Sequence, residues 1–259
     1  MPLKRATGIV IQSFDYGESD KIVTFLTLEY GKIKGIAKGA RRSRRRFSNS
    51  LDLFCHVRIH FFEKEDRSLM RIDQCDVVEF FPGFSQNIAK MSYGSYFVEL
   101  VDAMVGERET NRSVFELLRT FLSTVNGVEP REEMPRIFEI RLLSLVGYRP
   151  HLHSCIRCAR PLNQLDKIYF VPARGGIFCE TCCPTNADFF SLAMGTVKVL
   201  EKSAESDLSR VHRVRFSSGS LAESREILPR FIQYHLNREL KSLRFLESIK
   251  PSRSSSEDP

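Results

Sequence analysis

Between Leu53 and Phe62 the side chains alternate, with Phe54, His56, Arg58 and His60 interleaved among Cys55, Val57, Ile59 and Phe61. A period of two sends one set into a core and the other to solvent, which predicts a strand. Residues 4 to 80 read as β structure, with further strands over Thr7 to Phe14, Lys21 to Leu28, Ile33 to Lys38 and Leu69 to Phe80. Glu29-Tyr30-Gly31-Lys32 supplies a turn, because Gly31 is free to take positive φ. Five short strands in about 80 residues suit a five-stranded OB-type barrel, a common binder of nucleic acid.

From Phe84 the spacing lengthens to that of helices. Ile88, Met91, Phe97, Leu100, Val101 and Met104 form one stripe, and Val114, Leu117, Leu118, Phe121, Leu122 and Val125 form a second. A third helix carries Pro135 in its first turn and ends at Gly147. Ile137, Phe138, Ile140, Leu142, Leu143, Leu145 and Val146 make it apolar on most sides, as in the central helix of a bundle. Leu192 to Leu200 reads as helix. Ser220-Leu221-Ala222-Glu223 reads as a capping box opening a last helix, which Pro229 should kink or split. The second half of that helix presents Ile232, Leu236, Leu240 and Leu243. The fold class is therefore α+β: a barrel over 1–82 and a helical domain over 83–250, with a cysteine finger inserted at 151–186. The Ser-rich stretch 251–259 is expected to be disordered.

Charge changes this picture in one place. The 259-residue chain carries +7. Eight basic residues and no acidic ones lie between Lys32 and Arg46: Lys32, Lys34, Lys38, Arg41, Arg42, Arg44, Arg45 and Arg46. The rest of the chain is close to neutral, so the field is concentrated and suits a polyanion, nucleic acid above all. Phe47 beside the arginines could stack on a base. No base-reading set accompanies the run, so sequence-tolerant binding is expected. The bland alternative for such a run is a solvated charged face.

Two cysteine pairs, Cys155-Ile156-Arg157-Cys158 and Cys179-Glu180-Thr181-Cys182, are separated by 20 residues. This spacing fits one structural zinc in a closed four-thiolate site. Cys183 adjoins the second pair and could replace Cys182. Cys55 and Cys75 fall on strands and read as small core residues. His151 and His153 read as loop residues, since four sulfurs complete the site. The seven cysteines point to metal or free thiols in a reducing compartment. No apolar run approaches a membrane span, and no signal peptide is read. GxxxxGK[ST], GxSxG and HExxH motifs are lacking. Glu132-Glu133 and Glu63-Lys64-Glu65-Asp66 read as solvated loops, so no enzyme activity is expected.

In this order the segments resemble the bacterial recombination mediator family RecO. The likeness is carried by Gly8-Ile9-Val10-Ile11, Tyr16-Gly17-Glu18-Ser19-Asp20-Lys21-Ile22-Val23, Glu29-Tyr30-Gly31-Lys32 and Ala37-Lys38-Gly39-Ala40-Arg41-Arg42. It continues through Phe138-Glu139, Leu142-Leu143, Gly147-Tyr148-Arg149-Pro150, the four cysteines with Gly175-Gly176, Tyr234-His235-Leu236 and Leu240-Lys241-Ser242. Cys183 and the dense Arg44-Arg45-Arg46 run depart from the pattern. The resemblance implies a cytoplasmic, nucleoid-associated DNA-repair protein. It would bind single- and double-stranded DNA, anneal complementary strands, and pair with RecR. It would help load RecA on DNA covered by the single-strand binding protein SSB. The resemblance also implies that the helical domain binds the acidic C-terminal tail of SSB. Arg136 and Arg141, near Phe138 and Leu142, are the candidate cations for that tail. The alternative is a zinc-ribbon module that binds RNA or a protein partner without annealing.

Overall fold

The computed structural model describes residues 2–63 and 69–249. The Lys64-Glu65-Asp66 run and the tail 251–259 thus lie outside the described residues. Five strands, β1 (Leu3–Tyr16), β2 (Asp20–Thr27), β3 (Gly31–Ala37), β4 (His56–Phe62) and β5 (Met70–Glu79), close into a barrel in the order β1-β2-β3-β5-β4. Neighbours are antiparallel except β3 and β5, which run parallel through Gly35↔Met70, Ile36↔Arg71 and Ala37↔Ile72. Alternation fixes the register, because a slip of one residue would turn every apolar side chain outward. In β3, Ile33 and Ala37 face the interior while Lys34 is exposed. Val10, Val23, Phe25, Val57, Ile59 and Phe61 fill the barrel. Gly35 sits where β3 meets β5, and a Cβ there would lie 2.5 Å from Ile72 Cδ1. The strand expected from Leu53 begins only at His56, because Phe54 takes φ 74° and breaks the extended run.

A short turn of helix, α1 (Arg44–Phe47), follows β3, and α2 (Gly83–Gln86) follows the barrel. Three long helices come next: α3 (Ile88–Met104), α4 (Arg112–Gly127) and α5 (Glu133–Leu145). The side chains of Asn87 and Asn111 cap α3 and α4 by accepting the N–H groups of Lys90 and Val114. Every residue of α5 from Met134 to Leu143 is buried, as expected of a central helix. Phe138 packs on Phe97 at 4.4 Å and on Phe121 at 5.1 Å between ring centroids. Between α5 and α6 (Met194–Glu205) lies a small sheet, β7 (Gly176–Cys179), β6 (Ile168–Val171) and β8 (Phe190–Leu192), in that order. Its residues join the helical core, with Phe170 against Phe231 of α7 (Ser218–Leu236).

Four local expectations are corrected. Leu192 ends β8, and the helix after the finger starts at Met194. Ser217, not Ser220, caps α7 by accepting the Ser220 N–H at 3.1 Å, while the Glu223 carboxylate reaches back to the Ala193 N–H at 2.9 Å. Pro229 does not split α7. Proline removes one helix hydrogen bond, but the buried Leu228, Phe231 and Ile232 hold both halves against the core. The break comes at Asn237, in the left-handed region at φ 51°, so Leu243 belongs to a separate helix, α8 (Lys241–Ser248).

Candidate nucleic-acid interface and metal centre

The basic loop is built onto the end of the barrel by a carboxylate. Asp20, at the tip of the β1–β2 hairpin, accepts the Gly39 N–H at 2.8 Å and the Ser19 hydroxyl at 2.9 Å. Those two bonds, the Gly39 one above all, hold its carboxyl below the usual range. Gly39 takes φ 67° there, which turns the chain out of β3. Arg41 lies 3.6 Å from Asp15 and donates to the Glu18 carbonyl at 3.3 Å. Arg42 lies 3.8 Å from Glu18, and both side chains are open to solvent. Exposed pairs of this length contribute little, so the guanidinium groups remain available to phosphate. Arg44 opens α1, and Arg45 is exposed. A concavity of about 520 Å³ runs beside the loop, lined by Lys21, Arg41, Ser43, Phe47, Asn49 and Asp52.

Two members of the basic set are engaged by the fold. Lys32 donates to the Asp102 carbonyl at 2.6 Å and pairs with its carboxylate at 3.4 Å, so it ties the barrel to α3. Arg46 donates to the Lys38 carbonyl at 2.8 Å and to Ser43 Oγ at 3.3 Å, and stands over the Phe47 ring at 4.9 Å. Phe47 itself is 4% exposed and belongs to the barrel core, so the expected stacking on a base is corrected: its ring anchors the loop from below. Of the others whose side chains are described, Lys34, Lys38, Arg41, Arg42 and Arg45 remain. Sequence reasoning missed two aromatic residues beside them, Phe14 at 57% and Tyr16 at 56% exposure. Their signal was present in the outward positions of β1, which continue past the predicted strand end at Phe14.

The four finger cysteines converge. The sulfurs of Cys155, Cys158, Cys179 and Cys182 lie within 4.8 Å of one another, and those of Cys158 and Cys179 are 3.8 Å apart. A tetrahedral zinc with bonds of about 2.3 Å sets its sulfurs about 3.8 Å apart, so the set fits that ion. The two knuckles are laced together by Ile156 N–H to the Ile177 carbonyl at 2.9 Å and Ile177 N–H to the His151 carbonyl at 3.0 Å. Gly176 permits this approach, since a Cβ there would lie 2.5 Å from the His151 carbonyl oxygen. A hydrogen bond with the Thr181 hydroxyl leads the effects that draw the Cys179 thiol down to about 6. Burial works to raise Cys155, but the backbone N–H groups of Cys158, Cys179 and Arg157 outweigh it. The hydrogen bond with Cys179 leads in driving Cys182 up to about 12, with burial next. Cys183 stands outside the set, packed against the helical core, and so do His151 and His153, whose rings lie 3.9 Å apart.

Arg136 and Arg141 are not at a solvent-facing rim. Arg136 is 3% exposed and pairs with Glu139 at 2.8 Å, and Tyr96 donates to the same Glu139 oxygen. Arg141 is 8% exposed and donates to the carbonyl and hydroxyl of Ser206. Helical periodicity on so apolar a segment places both arginines inside. A groove of about 330 Å³ lies between α7 and α8, and neither arginine lines it. Its lining holds Tyr96, Ile232 and Leu240, the arginines Arg225, Arg230, Arg238 and Arg244, and also Glu226, Glu239 and Glu247; Arg244 pairs with Glu239, and Arg225 pairs with Glu132 at 2.7 Å.

Comparison with known proteins bears on both halves. The family profile described as Recombination protein O N terminal matches residues 1–81, and the one described as Recombination protein O C terminal matches residues 85–244. A protein of Syntrophus aciditrophicus named DNA repair protein RecO is 38% identical over 248 residues, covering 95% of this chain and 96% of its own. Its namesake in Symbiobacterium thermophilum is 36% identical over 256 residues, covering 98% of this chain and 100% of its own.

Proposed function

This chain belongs to the RecO family, and from that premise we propose that it is a DNA repair and recombination mediator that acts by binding and annealing DNA, not by catalysis. The observation that carries the proposal is the exposed basic loop on the end of an OB-type barrel. Two strands approaching each other repel through their phosphates. A cationic surface that holds both screens this repulsion and raises their local concentration, and base pairing then drives the product. No nucleotide is needed. One structural zinc on Cys155, Cys158, Cys179 and Cys182 would hold the finger and take no part in the chemistry, because four thiolates leave no open position.

The wider role would be to load RecA, with RecR, on SSB-coated DNA near the nucleoid. Among the described residues no helix is long and apolar enough to cross a membrane. An acidic tail ending in an aromatic residue needs an apolar floor and cations at the rim. The α7–α8 groove offers both, with Arg136 one layer beneath, linked to the groove residue Tyr96 through Glu139. Mixing complementary labelled oligonucleotides with the protein, without ATP, tests the proposal. Faster annealing is expected. An unchanged rate, or cleavage of the DNA in Mg²⁺, would overturn it.

A further inference from the structure

The basic loop does not account for the opposite side of the same hairpin. Along β1, Phe14 and Tyr16 point away from the barrel interior, whereas Asp15 faces the loop and approaches Arg41 and Lys21. Phe14 is registered with Ile22 of β2, Ile22 with Ile36 of β3, and Ile36 with Arg71 of β5. One row therefore crosses four strands on the outer face: an exposed ring, two half-buried isoleucines and an exposed cation. Lys34 flanks it on β3, two residues from Ile36 on the same face, and Lys38 follows in the turn just past the strand; both are exposed. Of the acids near this face, Asp20 accepts from Gly39, Asp102 from Lys32 and Gln12, and Glu18 in the turn lies 3.8 Å from Arg42; Asp73 stands beyond Arg71.

Two rings more than half exposed, on an apolar strip railed by cations, are a stacking platform for unpaired bases. A duplex cannot use it, because its bases are stacked on one another and only its phosphates are presented. The loop needs only phosphates. We infer that the protein discriminates single from double strands by this aromatic face, with Phe14 and Tyr16 contacting bases, while the arginine loop grips either form. The inference rests on the reading of the chain as DNA-binding and adds where strand type is sensed. In annealing, a strand laid across Phe14 and Tyr16 has its phosphates near Lys34 and Lys38. It leaves the platform once pairing hides its bases, so the product is released from the face that held the substrate.

The test compares a labelled single strand with the duplex made from it, by fluorescence anisotropy. For the variant carrying Phe14→Ala and Tyr16→Ala, single-strand affinity should fall by about tenfold or more per ring, and duplex affinity should stay within about twofold. Phe14→Tyr with Tyr16→Phe should keep both. The chain contains no Trp, so Tyr16→Trp gives a lone reporter in an otherwise intact face. Its emission should be quenched by single strand and not by duplex. Equal loss of both ligands in the alanine variant, no loss of single strand, or a Trp that single strand leaves unquenched would each overturn the inference and leave DNA binding standing. Failure of the wild-type protein to bind either form would overturn the DNA-binding reading itself.

Discussion

The cysteines of the finger converge, whereas the cations of the barrel spread outward. Four thiols from two distant knuckles meet within 4.8 Å, on a sheet that shares its core with the helices. The barrel keeps a core of its own, and Arg41 and Arg42 of its loop meet Asp15 and Glu18 in exposed pairs of 3.6 and 3.8 Å. Both segments are dense in one kind of side chain. The difference lies in what the backbone satisfies: the finger consumes its ligands in building itself, and the loop leaves its charges unspent for a partner. Dense chemistry in a sequence therefore marks scaffold or recognition according to whether the fold closes over it.

The largest effect should come from breaking the closed site. Cys155→Ser should abolish stoichiometric zinc, measured by elemental analysis, and unfold the finger, seen as lost hydrogen-exchange protection over β6 and β7. Metal binding and local folding are one event at such sites, worth on the order of 10 kcal/mol. Binding of DNA to the barrel should change by less than about threefold. Loss of DNA binding together with zinc would erase the contrast between the two regions.

Replacing Arg41, Arg42, Arg44 and Arg45 with Ala should weaken DNA binding by roughly two decades or more while zinc and fold persist. Circular dichroism and anisotropy together check this. If the loop variant loses finger structure, the loop is scaffold as well.

Glu139 sharpens the comparison inside the helical core. Burial raises its carboxyl to about 7, against the pull of Arg136 and Tyr96. Between the ordinary carboxylate value and about 7 the folded state holds a proton that the unfolded state has released. Stability should therefore fall as pH rises through that window, by a few kcal/mol at most. Glu139→Gln should flatten the slope in urea titrations run across that range. A slope unchanged by the substitution would place the titration elsewhere.

Lys32 gives the smallest expected effect. Lys32→Met should leave the salt dependence of DNA binding alone and cost about 1 kcal/mol of stability, since its pair with Asp102 is only partly buried. A lower salt slope in this variant would return Lys32 to the DNA-binding set.

Much of this was legible in the chain. All five barrel strands were read from the chain, the fourth by its alternation, and paired spacing predicted the cysteine set, because these signals are local. What failed depended on contacts between distant segments. Lys32 looked like any cation of its run until Asp102 of α3 came beside it. Phe47 looked available until the barrel end closed over it. Arg136 and Arg141 lie on a helix whose burial all round was foreseen, yet the partners that make a buried arginine tolerable, Glu139 and Ser206, could not be paired with them from spacing alone. Pro229 and the caps of α7 were misread for a related reason: tertiary packing overrode local preference.

The salt dependence of single-strand binding tests the account most directly. With Lys32 and Arg46 engaged internally and the other six cations of the run on phosphate, the log–log slope should be about −4 for the wild-type protein. It should shrink to about −1 to −2 when Arg41, Arg42, Arg44 and Arg45 become Ala. A wild-type slope near zero, or one unchanged by removing the four arginines, would contradict the claim that the barrel loop is the surface that holds DNA.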